Sequence, residues 1–207
     1  MPVVERQLAK GFGGPVRKTR RHWFGGSLIP KKPEFEAEVA PLRRVFGSGV
    51  TLEVRPGTQG CQDCTPLVVR VSNNRAGHHV PTGDPERHVD VEARALGPDG
   101  AEVAKATWRF GSKFQWWPTI KKLSDTRLPA GEHKDIVLKL PGSVEPGTIV
   151  EVRAWKWRMY EDGFDYHKLE GEYVRGRAFH RSRWSVGQGV RLLEVEDDFG
   201  TRKTLTP

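Results

Sequence analysis

The sequence predicts an all-β fold, an immunoglobulin-like antiparallel β-sandwich of about seven strands preceded by an extended N-terminal arm. Three observations predict it. From residue 49 onward, short runs alternate apolar and polar residues with a period of two, the signature of half-buried strands. Turn signals built on Pro and Gly separate these runs, in a chain of 207 residues with 23 glycines and 15 prolines. No helical period of convincing length interrupts the series, which disfavours βαβ architectures.

The alternating runs are Val50–Val54, Leu67–Val71, Val89–Ala93, Ile136–Leu140, Ile149–Trp155 and Val190–Val195, with a further strand over Glu102–Phe110. Between them lie Arg-Pro-Gly at 55–57, Pro-Asp-Gly at 98–100, Pro-Ala-Gly at 129–131 and Glu-Pro-Gly at 145–147. Pro98-Asp99-Gly100 between two alternating runs marks a hairpin. Seven short strands with one apolar face each must fold over into two packed sheets. Long connections remain at 111–128, with Phe114, Trp116 and Trp117, and at 159–185, rich in aromatics and arginine. Adjacent tryptophans in a loop suit a partner surface, whereas Trp108, Trp155 and Trp157 fall in strands, the last two on one face.

The organisation expected is therefore a basic arm over 1–47, a sandwich over 48–197 and a tail over 198–207. The arm lacks a sustained period except over 34–45, where Phe35, Val39 and Leu42 share a helical face. The net charge is +8, and residues 1–33 hold eight basic residues (among them Arg17, Lys18, Arg20 and Arg21) against the single acid Glu5. Such an arm suits an acidic partner: nucleic acid, an anionic surface, or carboxylates on a protein or cofactor. No stretch reaches the roughly 20 apolar residues of a membrane span, and the first residues lack the apolar core of a signal peptide.

Cys61-Gln-Asp-Cys64 has the spacing of half a haem-attachment site, but Thr65 stands where covalent haem needs a histidine. A disulfide across a hairpin loop is expected; a zinc site or reduced thiols are the alternatives. The most distinctive string runs from Val69 through Asn73-Asn74 to Gly77-His78-His79-Val80-Pro81-Thr82-Gly83. Neighbouring side chains on extended backbone point to opposite sides, so one of His78 and His79 is expected inward and bonded to backbone, the other outward and able to meet a metal or a carboxylate. Hydrolase, metalloprotease and phosphate-loop motifs are absent. Glu161, Asp162, Asp165 and His167 read as a solvated turn, with acid–base chemistry the lesser option.

The string Asn-x-x-Ala-Gly-His-x-x-Pro-Thr-Gly resembles the C-terminal β-sandwich domain of bacterial multihaem c-type cytochromes. Ser124–Glu132 is similar to that domain's Asp-x-Arg-hydrophobic-x-x-Gly-Glu turn, and Val150–Arg158 to its late strand. His22-Trp-Phe-Gly-Gly26 is similar to its His-x-Phe-x-Gly-Gly linker, one residue shorter here, and Met1-Pro2 to the dipeptide that follows a Cys-x-x-Cys-His motif. The resemblance covers roughly 15–197. It implies a chain that begins where a haem-binding portion would end, either the last piece of a longer cytochrome or a separately encoded partner. It further implies a non-catalytic accessory domain in electron transfer, in the periplasm or outside the cell. Haem c would be held by a partner segment or subunit and none attached to this chain. His22 would then serve as a distal ligand to the haem iron, Arg20 and Arg21 as contacts to its propionates, and His78 or His79 as a further contact. The other reading is a module that binds a polyanion, nucleic acid or acidic polysaccharide, through the arm.

Overall fold

The computed structural model describes residues 3–7, 13–20, 28–58, 62–198 and 200–204. It is an antiparallel β-sandwich of one three-stranded and one seven-stranded sheet.

The small sheet has the order β3–β4–β8, from Thr51–Pro56, Cys64–Ser72 and His133–Pro141. The large sheet is built from β5 (His88–Leu96), β6 (Glu102–Gln115), β7 (Lys121–Asp125), β9 (Ile149–Trp157), β10 (Gly176–Val186), β11 (Val190–Asp197) and β12 (Gly200–Lys203). Its order is β12–β11–β10–β9–β5–β6–β7. Each expected strand is present, and Gly97–Gly100 closes the expected β5–β6 hairpin, with Gly100 at φ +82°. Among the described residues there are more strands than expected. β7, β10 and β12 complete the large sheet, and the arm carries a separate ladder of β1 (Val3–Gln7) and β2 (Val16–Arg20). That part of the arm is thus paired rather than simply extended.

The core lies between the sheets. Leu67, Val69 and Val71 of β4 pair with Leu138, Ile136 and Lys134 of β8, and the apolar members face Val89, Val91, Ala93 and Ala95 of β5 and Val150, Val152 and Ala154 of β9. Each large aliphatic side chain so buried contributes roughly 1.5–3 kcal/mol. Exposed edges are guarded by charge: every residue of β7 is exposed, and Lys121 and Lys122 lie on it, which discourages pairing with another chain.

A helix, α1 (Glu36–Phe46), fills the expected place, with Glu36 and Glu38 in its first turn and Arg43 and Arg44 in its last, matching the helix dipole. Buried Arg43 donates to the carbonyl of Leu28 at 3.1 Å and pairs with Glu36. Leu28 and Ile29 are buried, and Arg158 donates to the Ile29 carbonyl. The end of the arm is therefore docked on the sandwich. A second short helix, α2 (Glu161–Tyr166), follows β9. No helix among the described residues is long and apolar enough to cross a membrane.

The inward face of β10 is partly polar. His180, Ser182, Trp184 and Val186 are buried. The Trp184 indole donates to Ser182 Oγ at 2.9 Å, which leaves the serine hydroxyl hydrogen for His180 Nε2 at 3.0 Å. Burial holds His180 neutral, pushing its pKa from 6.5 down to about 4. As pH falls through 6.5 the unfolded chain takes up this proton and the folded chain does not, so stability is full above that value and declines toward pH 4. At about 1.36 kcal/mol per pH unit, the loss attributable to His180 is about 3 kcal/mol. Urea unfolding at pH 7.5 and pH 4.0 checks it: the difference between the two should shrink in His180→Gln, and an equal difference in both proteins would clear His180 of the effect.

Candidate functional site

Two of the segments that carry the cytochrome resemblance, Asn73–Gly83 and Ser124–Glu132, meet at one end of the sandwich. Asn73, directly after β4, is fully buried. Its side-chain amide donates to the carbonyls of His78 at 2.7 Å and Leu128 at 3.0 Å. Its backbone N–H donates to Glu132 and its carbonyl accepts from Gly131, at 2.9 and 2.8 Å. Val80 and Leu128 exchange both backbone hydrogen bonds at 2.9 Å. One asparagine thus pins the histidine loop to the turn that opens β8. Gly83, at φ +91°, leaves room for Arg87, whose Nη1 would lie 2.9 Å from an added Cβ.

His78 and His79 are both exposed, so neither is the inward residue expected. The loop is irregular rather than extended, which removes the strict alternation, and its interior places go to Asn73 and Val80. His78 does bond to backbone: its Nδ1 lies 2.8 Å from the carbonyl of His79. A carbonyl oxygen only accepts, so Nδ1 carries the hydrogen and Nε2 keeps the lone pair of a metal ligand.

Beside this loop opens a pocket of about 360 Å³, lined among others by Leu28, Phe46, His78, Val80, Arg87, Lys156 and Trp157. Leu28 stands six residues after His22 in the sequence. His88, buried and also in the pocket lining, stacks on Tyr160 (centroids 4.7 Å apart) and on Trp157 (6.1 Å), and Arg175 lies 4.3 Å over the Trp157 ring. Burial pushes the His88 pKa down. Gly176 makes the stack possible, since a Cβ there would fall 2.2 Å from Trp157 Cε3.

The remaining candidates are elsewhere. Cys64 is disulfide-bonded and opens β4, at the opposite end of that strand from the histidine loop, so no zinc site joins it to His78 and His79. The other cysteine, Cys61, lies outside the described residues, as do Arg21 and His22; Arg20 is the last residue of β2. Trp155 and Trp157 share the outer face of the large sheet, while Trp116 and Trp117 are 52% and 84% exposed near the tip of the β6–β7 hairpin. Glu161, Asp165 and His167 are exposed on and after α2. No group of three or more His, Cys, Asp or Glu among the described residues could hold a metal ion. Sequence reasoning missed Arg87, His88 and Lys156. The readable signal was Lys156 in register with inward Val150, Val152 and Ala154, a lysine where a core residue belongs.

No family model and no curated protein matches the chain. Its fold is similar to that of a penta-haem cytochrome c552 from Thermochromatium tepidum, with a TM-score of 0.53 and 16% identity over 71% of this chain and 41% of that one. The likeness is one of fold, and this chain corresponds to less than half of that structure. A β-glucuronidase of glycoside hydrolase family 2 and one from Bacteroides uniformis align at TM-scores of 0.27 and 0.25 with 11% and 13% identity, over 67% and 64% of this chain and 11% and 12% of theirs; neither carries an argument.

Removing the amide of Asn73 strands the His78 carbonyl and frees the loop. Asn73→Ala should cost about 2–3 kcal/mol in urea unfolding and speed amide exchange at Val80 and Leu128. Unchanged exchange there would mean that the Val80–Leu128 bridge holds the loop unaided.

Proposed function

We propose that this chain is a non-catalytic accessory domain of a multihaem cytochrome electron-transfer assembly, serving haem c held by a partner segment or subunit. The observation that carries the reading is a coincidence of two independent facts. Two of the motifs similar to a cytochrome sandwich domain, the histidine loop and the turn before β8, are joined by Asn73, and a fold similar to this chain's occurs in a penta-haem cytochrome.

The donor set fits a serving role. A haem iron already held by its own segment needs one further imidazole, not a cluster. His22 is the first candidate by sequence; His78 is the second, because its Nδ1 bond to backbone leaves Nε2 as the ligand nitrogen. Bound there, haem would supply the one-electron chemistry. This chain's part is to hold a neutral imidazole in place, to set positive charge beside carboxylates through Arg20 and Arg21, and to keep water from the docked face. Exposed Trp116 and Trp117 suit contact with the haem-bearing neighbour. The periplasm or the cell exterior suits a chain with a disulfide at Cys64.

The polyanion reading rests on the arm alone. The arginines and lysines on the outer face of the large sheet are largely engaged in ion pairs, among them Arg109–Asp90, Lys105–Glu92 and Arg153–Glu151.

The test uses the assembled complex carrying His22→Ala or His78→Ala, read by electron paramagnetic resonance. One of the two should convert a single haem from low to high spin. Spectra identical to the unaltered complex in both variants would overturn ligand donation by this chain.

A further inference from the structure

The charges of the pocket break the pattern of the sheet around it. On the outer face of the large sheet the acids are matched by bases: Asp90 by Arg109, Glu92 by Lys105, Glu102 by Arg94, and Glu151 by Arg153 and Arg183. In the pocket, Arg87 and Lys156 make no ion pair with any described residue. The Arg87 guanidinium makes one long hydrogen bond among the described residues, 3.4 Å to the carbonyl of Thr82. Arg158 lies close enough to Arg87 for the two charges to repel, and its Nε is buried without an acceptor.

Lys156 is the telling residue. Its strand register sends it toward the interior after Val150, Val152 and Ala154, and its ammonium sits 5.0 Å from the centroid of the Phe179 ring. Burial pushes its pKa down to about 8 against the pull of Asp198, whose Oδ1 pairs with Arg177 at 2.5 Å and whose Oδ2 is buried without a hydrogen bond to any described residue. Arg87 lines the same pocket, so two cations that form no ion pair with a described residue share one cavity, a charge that an incoming anion would offset. The same pocket has an apolar part to its lining, formed by Leu28, Phe46, Val80 and Trp157. Its 360 Å³ lies near the lower limit of small-molecule sites, roughly 300–1,000 Å³, which admits a carboxylate arm and the edge of a flat ring.

We propose that this pocket is a carboxylate-binding site in which Lys156 and Arg87 grip the anionic arm of a ligand while Leu28, Val80 and Trp157 pack its apolar edge. Resting on the haem-serving reading for its source, the carboxylate is a porphyrin propionate. A small free dicarboxylate has the same chemistry and is the other source to separate.

Metal-free mesoporphyrin and its dimethyl ester, titrated into the full chain by fluorescence, test this without any iron–histidine bond. The diacid should bind roughly tenfold or more tightly than the ester, as one charge-assisted pair warrants. Lys156→Met and Arg87→Gln should each cut that preference and the double variant abolish it, while Lys134→Gln, which removes a cation lying over Trp108, leaves it intact. Circular dichroism confirms that each variant is folded. Equal affinity for diacid and ester, or a preference that survives the double variant, overturns the site. Succinate displacing the diacid at equal concentration retains the carboxylate site and overturns its assignment to a porphyrin. Because the probe has no metal, either failure leaves ligand donation by His22 or His78 to be judged on the spectra of the complex alone.

Discussion

The organisation of the candidate site depends on one buried amide. Asn73 has no room to be anything else: two carbonyls, from His78 and Leu128, converge on its Nδ2, and its own backbone is bonded on both sides to the turn at Gly131 and Glu132. An apolar residue of this size would leave the His78 carbonyl unpaired, at a cost comparable to a lost hydrogen bond. An aspartate would put a negative charge against carbonyl oxygens. The loop that presents His78 and walls the pocket is therefore an extension of β4 and β8 rather than a free excursion. Loops fixed in this way let a rigid scaffold place chemistry-bearing side chains.

Around that point the sandwich divides its labour. Between the sheets the contacts are mostly aliphatic, with Phe110, Phe179 and Trp184 among them and His180 and Ser182 buried on β10. The outer face of the large sheet is a lattice of cross-strand ion pairs, each worth little alone but together matching charge on that surface. At the pocket end neither rule applies. Neutral His88 stacks in an aromatic column with Trp157 and Tyr160, and Arg87 and Lys156 line one pocket without an ion pair to any described residue. That local departure from the rest of the fold is what makes this end a site.

Much of the architecture was legible from period-two alternation, because strands such as β4 and β9 place apolar residues at nearly every inward position, Leu67, Val69 and Val71 in one and Val150, Val152 and Ala154 in the other. β10 was not, because half of its inward positions are His180 and Ser182, whose polarity hides the period although both are buried. β7 was not, because an edge strand exposed at every residue has no apolar face to display. β1 and β2 carry too few apolar residues to signal a ladder. In the site, the motif residues were legible as a loop and a turn, but their junction was not: Asn73 and Leu128 are far apart in sequence and only the fold brings them together. Lys156 was legible as a violation of register, whereas only the fold brings Arg87 and His88 to the pocket. The expectation of one buried histidine failed because it assumed extended backbone.

The central claim is that this sandwich works beside haem carried by a partner, and the most direct measurement is the visible absorption of the protein isolated under native conditions from its source. A Soret band that migrates with this 207-residue chain through size exclusion, and that separates from it on denaturation together with a covalently haem-bearing polypeptide, is the result the account predicts. A chain that migrates without Soret absorption, under conditions in which its complexes survive, would contradict it.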